Sequence, residues 1–396
     1  MLVGMAVVSP AEVPIVASRI VVRGANSVIG QVACIWLASR LLVFLALIFA
    51  YQVVPLNSAA TGFGSGAPGW LDWATHWDGE WYLRIVREGY QGQQTAFAPL
   101  YPLLIKLGTL VFGADNDVLL GLVITNLAFL AALVAFWHLV KLDFDDSVAR
   151  RAVILVALCP MSLFFSADYP MAIFLLFAVA SIYCARTERW LLAGVLGAAA
   201  TASRQPGIIL LVPLAIEAWH QRTGSWISWR WWLRDYWSLA LLPLTVAGIT
   251  LYLQVTTNDA LSSFGAIQAW SHVPDWPWTT YFGAWLALFP RGIIMNTDML
   301  APLITTTVLI WSIVAGWRVA RPSYTAFTFA LLLFYLAIPA GQPLDSMPRY
   351  ALAFFPPFIV LAYYSRQRGV TWALVAGFAA LLAYFTMLFA RWYWVS

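Results

Sequence analysis

From residue 28 to residue 390 this chain is a succession of apolar runs. Most are about 17 to 25 residues long, the length that carries one helix across the ~30 Å hydrocarbon layer of a bilayer. Eleven candidate helices fall near residues 28–54, 118–140, 152–167, 170–185, 190–203, 207–219, 237–256, 300–317, 324–340, 350–364 and 370–390. Hydrophobic residues make up 62% and charged residues 10% of the 396 positions, whereas a soluble domain needs about 25% charged residues to coat its surface. The expected fold class is therefore an all-α polytopic membrane protein, with residues 1–396 forming a single membrane domain and no separate soluble module.

A net charge of +4 would speak for nucleic acid if Lys and Arg were clustered. They stand singly or in pairs between apolar runs, so topology explains them and nucleic acid is not an expected partner. With the N-terminus in the cytoplasm, the basic residues fall about two to one on the cytoplasmic side, as the positive-inside rule asks, and an eleventh helix leaves the C-terminus outside. Cys34, Cys159 and Cys184 lie in or beside apolar runs with no CxxC spacing, which reads as packed thiols rather than a disulfide framework or a zinc site. The short apolar start, Met1 to Val8, has no preceding basic region, so the first crossing rather than a cleaved signal peptide is expected to direct insertion.

In this orientation most cytoplasmic connections are short. Two outside segments, about 55–117 and 257–299, are long and rich in Trp, Pro and Gly, and long ordered loops commonly carry function. Thr61 to Gly69 reads as a small mobile linker, and Trp70, Trp73, Trp270, Trp276, Trp278 and Trp285 read as an interface belt, one or two of which could stack on sugar rings. The first outside loop runs H-W-D-G-E-W-Y-L-R-I-V-R-E-G-Y from His76 to Tyr90. A helix over 77–88 gathers Trp77, Trp81, Tyr82, Ile85 and Val86 on one apolar arc and Glu80, Arg84, Arg87 and Glu88 opposite, the pattern of an interfacial helix. Asp78 falls inside the apolar arc, where an unpaired carboxylate is costly, and so is a candidate base. The blander reading makes it the helix N-cap, and the two are compatible. Glu80 reads as a solvated face charge with an accessory site role as the alternative, and His76 as interfacial packing.

Trp77-Asp78-Gly79-x-Trp81-Tyr82, Ile85-x-x-x-Gly89-Tyr90 and Phe97-x-Pro99-Leu100-Tyr101-Pro102 together resemble the PIG-V-type mannosyltransferases. The resemblance continues in the same order through Pro160-x-Ser162-x-Phe164-Phe165-Ser166-Ala167, Ser203-Arg204-Gln205-Pro206-Gly207, and Ser346-Met347-Pro348-Arg349-Tyr350 with Phe355-Pro356, spanning roughly residues 36 to 365. It implies a GT-C-type membrane glycosyltransferase fold, a polyprenyl-phosphate sugar donor, and an essential Asp in the first outside loop, which by position is Asp78. Two departures stand out. The family commonly carries an acid after Tyr-Ser or Tyr-Thr, whereas here Tyr169-Pro170 leads to Met171 and the acid present is Asp168. Ser203 stands where Thr usually precedes the arginine.

Sugar transfer from a lipid phosphate needs a base for the acceptor hydroxyl, charge to receive the departing phosphate, and a greasy groove for the tail. Asp78 is the expected base. Arg204 and Arg349, at outside ends of helices in segments broken by Pro, Gly and Tyr, can contact phosphate oxygens in a planar two-point fashion, with snorkelling to the interface as their alternative. Asp168, Trp77, Trp81, Tyr82, Glu80 and Tyr350 are the possible accessory residues. Arg40, inside the first run, reads as lying near the cytoplasmic interface. No cofactor is expected. A divalent metal is left open, with only Asp78, Glu80 and Asp168 as nearby acids. The expected partners are the lipid-linked donor, a glycolipid, glycan or protein acceptor, and membrane lipids. A lipid or lipid-linked sugar transporter is the competing class, since it too has many helices and few charges, though such proteins favour mid-membrane charges and internal repeats. A non-catalytic assembly subunit is a third, and would not need the Trp77-Asp78 constellation.

Overall fold

Proline and glycine decide where the helices start and stop. In the computed structural model, which describes residues 13–60, 69–222, 236–269, 274–289, 297–339 and 341–395, the helices of eight or more residues are α1 Val13–Val53, α2 Asp78–Glu88, α3 Leu100–Phe112, α4 Asp117–Val140, α5 Asp146–Ala157, α6 Met171–Arg186, α7 Trp190–Ser203, α8 Leu211–Gln221, α9 Leu241–Thr257, α10 Ser262–Ala269, α11 Pro277–Ala287, α12 Leu300–Val319, α13 Pro322–Ala337, α14 Pro356–Tyr364 and α15 Arg368–Ala390. Proline opens α11, α13 and α14, where its missing N–H goes unneeded. Asp145 caps α5 by accepting the Val148 N–H. Among the described residues there is no strand. The Thr61–Gly69 stretch, apart from Gly69, and Trp270 lie outside the described residues.

Five helical stretches are long and apolar enough to cross a membrane: Val28–Val53, Ala114–Val140, Trp237–Thr257, Leu300–Val319 and Arg368–Ala390. The protein is a multi-pass integral membrane protein. The eleven expected runs are not reproduced one for one. The run near 152–167 is α5 followed by a break and a 3-10 turn, Ser162–Phe165; the run near 207–219 opens as a 3-10 turn, Gln205–Leu210; and the run near 350–364 starts in a single α-turn, Met347–Tyr350, and a 3-10 turn, Ala351–Ala353, breaks at Phe354–Phe355 and resumes as α14 at Pro356. Apolar composition alone does not show such breaks. They are tolerated at membrane depth only where the freed backbone groups are covered by protein or line a cavity, and each carries one of the motifs singled out above.

The core is aromatic and lies between α4, α5, α6 and the 350–360 segment. Phe129 stacks on Phe165 at 4.3 Å between centroids, and Phe355 packs against Phe136, Tyr324 and Phe327. Outward faces such as Leu110, Val255 and Trp317 stay exposed, as lipid contact requires.

Side-chain pairing sorts the helix ends into two groups. One collects the start of α4, where Arg87 meets Asp117, the end of α1, where Arg391 Nε donates to Val54 O, and the end of α15. The other collects a buried ionic network in which Arg186 holds Asp143, Arg321 grips Glu217 at 2.6 and 2.8 Å, and Ser323 donates to the same carboxylate. Successive helices α6, α7 and α8 run alternately from one end to the other, so the motif-bearing breaks before α6 and after α7 gather at a single end of the bundle.

Candidate active site

Asp78 opens α2 but does not cap it. The cap position belongs to Trp77, whose φ of 59° and ψ of −118° place a bulky residue where L side chains rarely sit. The Asp78 N–H donates to Tyr169 Oη at 3.1 Å, and Tyr169 Oη donates in turn to His76 O at 2.9 Å. Gly79 follows because a Cβ there would lie 3.1 Å from Ala74 O. With its backbone so pinned, the Asp78 carboxylate is free to face Arg349, whose Nη1 donates to Oδ2 at 2.6 Å. Asp78 keeps a quarter of its side-chain surface open, whereas Arg349 is almost wholly buried.

Arg349 is held by more than its counterion. Its guanidinium lies 5.4 to 5.7 Å from the centres of four rings, those of Phe164, Tyr169, Tyr350 and Trp394, an aromatic cage that eases burial of a cation. Nη2 donates to Ser346 Oγ at 3.3 Å, while Nε has no partner despite its burial. Arg204 reaches the same place from the break after α7. Its guanidinium lies 5.6 Å from the Tyr350 ring, which it shares with Arg349, and Nη1 points at Met171 Sδ at 2.8 Å. No carboxylate pairs with Arg204 among the described residues. Burial first, and the Asp78 carboxylate second, push the Tyr82 and Tyr169 phenols well above their usual range, so both remain neutral hydroxyls.

Asp78, Arg349, Arg204, Tyr350, Trp77 and Tyr82 thus converge. Three other expected residues do not join them. Glu80 is buried rather than solvated, because α2 packs against α3, α4 and the preceding turn and so buries more than one face; Arg84 neutralises it at 2.5 Å. Trp81 faces Phe97 and Arg84. Asp168 is completely buried, its carboxyl wedged against Gly121, where a Cβ would come within 2.4 Å of Oδ1, and bonded by Tyr101 Oη at 3.3 Å. Burial pushes this carboxyl well above the usual carboxylate range, against the opposing Tyr101 hydrogen bond. Asp168 positions the site through its backbone, whose N–H donates to Ala74 O. Among the described residues no group of three or more His, Cys, Asp or Glu could hold a metal ion.

Other contributors went unread in the sequence. Arg40 is not at an interface but buried near the middle of the Val28–Val53 span. All five of its donors are used, on Ser39 Oγ, Ser162 O, Ser162 Oγ, Ser166 Oγ and Ala157 O, so it clamps the break that leads to Asp168 and Tyr169. His76 is fully buried, its ring nitrogens meeting Phe389 O at 2.9 Å and Asp72 Oδ2 at 3.0 Å. Trp73 belongs to the core rather than to a belt. The segment after α15 supplies the last wall. Tyr393 N bonds Leu388 O and Trp392 N bonds Phe389 O, the Schellman pattern, with Trp392 at φ 64° where glycine is usual. Its ring stacks 3.8 Å from His76. Of the six non-glycine residues with positive φ among those described, Trp77, Leu344, Ser346 and Trp392 lie in segments that form this site.

These features define a multi-pass helical membrane protein whose acid–arginine site is built on the breaks between helices. The profile of the mannosyltransferase (PIG-V) family matches residues 32–228 of the chain. That stretch holds Arg40, Asp78, Asp168 and Arg204 and stops short of Arg349. The chain is 32% identical over 220 residues to the GPI mannosyltransferase 2 of Drosophila pseudoobscura pseudoobscura, a match covering 51% of this chain and 48% of that protein. The chain therefore spans about half the length of the curated relative. Among solved structures, the Archaeoglobus fulgidus oligosaccharyltransferase AglB, in complex with an inhibitory peptide and a dolichol-phosphate, is similar at a TM-score of 0.41 and 13% identity, over 89% of this chain and 55% of that one. The apo form of the A. fulgidus oligosaccharyltransferase gives 0.39 and 12% over the same shares. These likenesses are too loose to define a fold.

Proposed function

We propose that the protein is an inverting, GT-C-type glycosyltransferase that moves a sugar, mannose by family, from a polyprenyl-phosphate donor to a hydroxyl of a glycolipid, glycan or protein on the non-cytoplasmic face. In this reading the end of the bundle bearing Asp78 faces that side, α2 lies at the interface, and the charged network of Arg186, Glu217 and Arg321 faces the cytoplasm.

The observation that carries the proposal is the Asp78–Arg349 pair with Arg204 across the shared Tyr350 ring. One carboxylate and two guanidiniums leave one positive charge, which matches the single negative charge of a lipid phosphodiester. The acceptor oxygen attacks the anomeric carbon, the bond from that carbon to the phosphate oxygen breaks, and its electron pair leaves with the phosphate. The hydroxyl proton passes to Asp78. Protonating Asp78 removes the counterion of Arg349 as the phosphate gains its second charge, so the arginine's field is released when it is needed. The unpartnered Arg349 Nε is a donor left for that step. No acid is required for a leaving group that departs as an anion. A transport path would need an ionisable group free to exchange partners in mid-span, and Arg40, with every donor engaged, is not one.

The test is transfer by the purified protein from a polyprenyl monophosphate mannose against transfer from GDP-mannose. Polyprenyl phosphate released in step with sugar transfer supports the reading. Turnover of GDP-mannose in detergent without any lipid carrier overturns it.

A further inference from the structure

Trp394 stands out among the exposed tryptophans because it is both open and fixed. Its side chain is 43% exposed, yet Nε1 donates to Asp345 Oδ1 at 3.2 Å and its ring meets Trp77 edge-on at 4.9 Å and 76°. The same ring forms one wall of the Arg349 cage, so an open indole lies beside the Asp78–Arg349 pair. Trp276 and Trp278 stack on each other instead and make no contact with these residues, as an interface belt would have it. Next to Trp394, the Trp77 Nε1–H is buried without a partner, on a residue held at a strained φ. An open aromatic face and an unspent N–H donor, side by side at the reacting pair, are the two elements that recognise a sugar ring: the pyranose C–H face packs on the π face, and a ring hydroxyl accepts the donor.

We propose that Trp394 is the stacking platform of a pyranose subsite, with the sugar ring packed on its indole face beside Asp78 and the Trp77 Nε1–H given to a sugar oxygen. This rests on the transferase reading and adds to it the residue that reads the sugar rather than the phosphate. The ring belongs either to the donor or to a glycosidic acceptor, and the kinetics separate the two.

The experiment compares wild type with Trp394→Ala, Trp394→Leu and Trp394→Phe, and with Trp276→Ala as a belt control. It measures KM for donor and acceptor, and inhibition by polyprenyl phosphate that carries no sugar. The expected result is a rise of about 3- to 10-fold in one KM for the Ala and Leu variants, little change for Phe or for the control, and an unaltered inhibition constant for the sugar-free lipid. A raised donor KM places the donor sugar on Trp394; a raised acceptor KM places the acceptor there. Should the Ala variant fail to fold, the Leu variant, which keeps apolar bulk but has no π face, decides the question. Unchanged KM values in an active Leu variant overturn the proposal. So does a parallel rise in the inhibition constant, which would make Trp394 a prop for Arg349. A wild-type protein that transfers nothing from the lipid donor brings down the transferase reading itself, a different outcome.

Discussion

Replacing Asp78 by Asn separates chemistry from electrostatic support. Asn keeps the size of the side chain and an oxygen that can accept from Arg349 Nη1, but it cannot take a proton, so transfer should fall by at least the ~10²-fold typical of general-base loss. Stability should fall too, because Arg349 is almost wholly buried and loses its counterion. Removing one partner of a fully buried pair costs about 3–5 kcal/mol. Asp78 is one-quarter open to solvent and the amide still accepts the hydrogen bond, so about 1–2 kcal/mol is the expected loss. For a chain of 396 residues that corresponds to roughly 1–2.5 °C in a melting scan. The double variant Asp78→Asn/Arg349→Gln removes the stranded charge and should recover part of that drop while staying inactive. Melting in detergent and a transfer assay on the same preparations check both halves. A folded Asp78→Asn variant that transfers within about tenfold of wild type would refute the role of base. An unchanged melting temperature would refute the dependence of Arg349 on Asp78.

Three further outcomes are expected. Asp168→Asn should stay active. Because the folded-state pKa of Asp168 is raised, the wild type loses stability as pH climbs above the unfolded value of about 3.9, so the melting advantage of the Asn variant should widen from pH 4.5 to 7.5; an activity loss equal to that of Asp78→Asn would point to a paired site instead. Arg40→Met withdraws an arginine donor from two carbonyls and three hydroxyls at a cost of about 1–3 kcal/mol, while Arg40→Lys keeps a buried charge with too few donors, so Lys should melt lower than Met; the reverse order would deny the clamp. Arg204→Ala should weaken use of the lipid donor, and Arg204→Lys should restore it only in part for want of the planar fork; full rescue by Lys in a donor titration would reduce Arg204 to a point charge.

The apolar runs made the helical membrane class legible, and the order of motifs made Asp78, Arg204, Arg349 and Tyr350 legible as a set that the structure brings together. What misled was the helical wheel. It assumes burial on one face, whereas Gly79, Glu80, Tyr82, Leu83, Ile85 and Val86 are all buried, so Glu80 went to the wrong environment even though its i,i+4 partner Arg84 was in plain view. Asp168 looked like an accessory acid because sequence spacing carries no direction, and its carboxyl turns toward Gly121. Arg40 and the Trp392–Trp394 segment were missed for a common reason: their partners lie far along the chain, at Ser162 for Arg40 and at His76 for Trp392, both more than a hundred positions away, and at Asp345 and Arg349 for Trp394, some 45 to 49 positions away. No local pattern announces such contacts.

The same separation governs when the site can exist. Asp78 and Arg349 are 271 positions apart, and His76 and Phe389 are 313 apart. At roughly 5–20 residues per second, a ribosome delivers Arg349 some 14–54 s after Asp78, and the α15 wall later still. For that interval Asp78 has no counterion and His76 no stacking partner, so the first loop waits open while most of the bundle inserts. Docking of α15 is therefore the event that completes the walls of the site, and a chain stalled before it would be threaded through the membrane with that site unfinished.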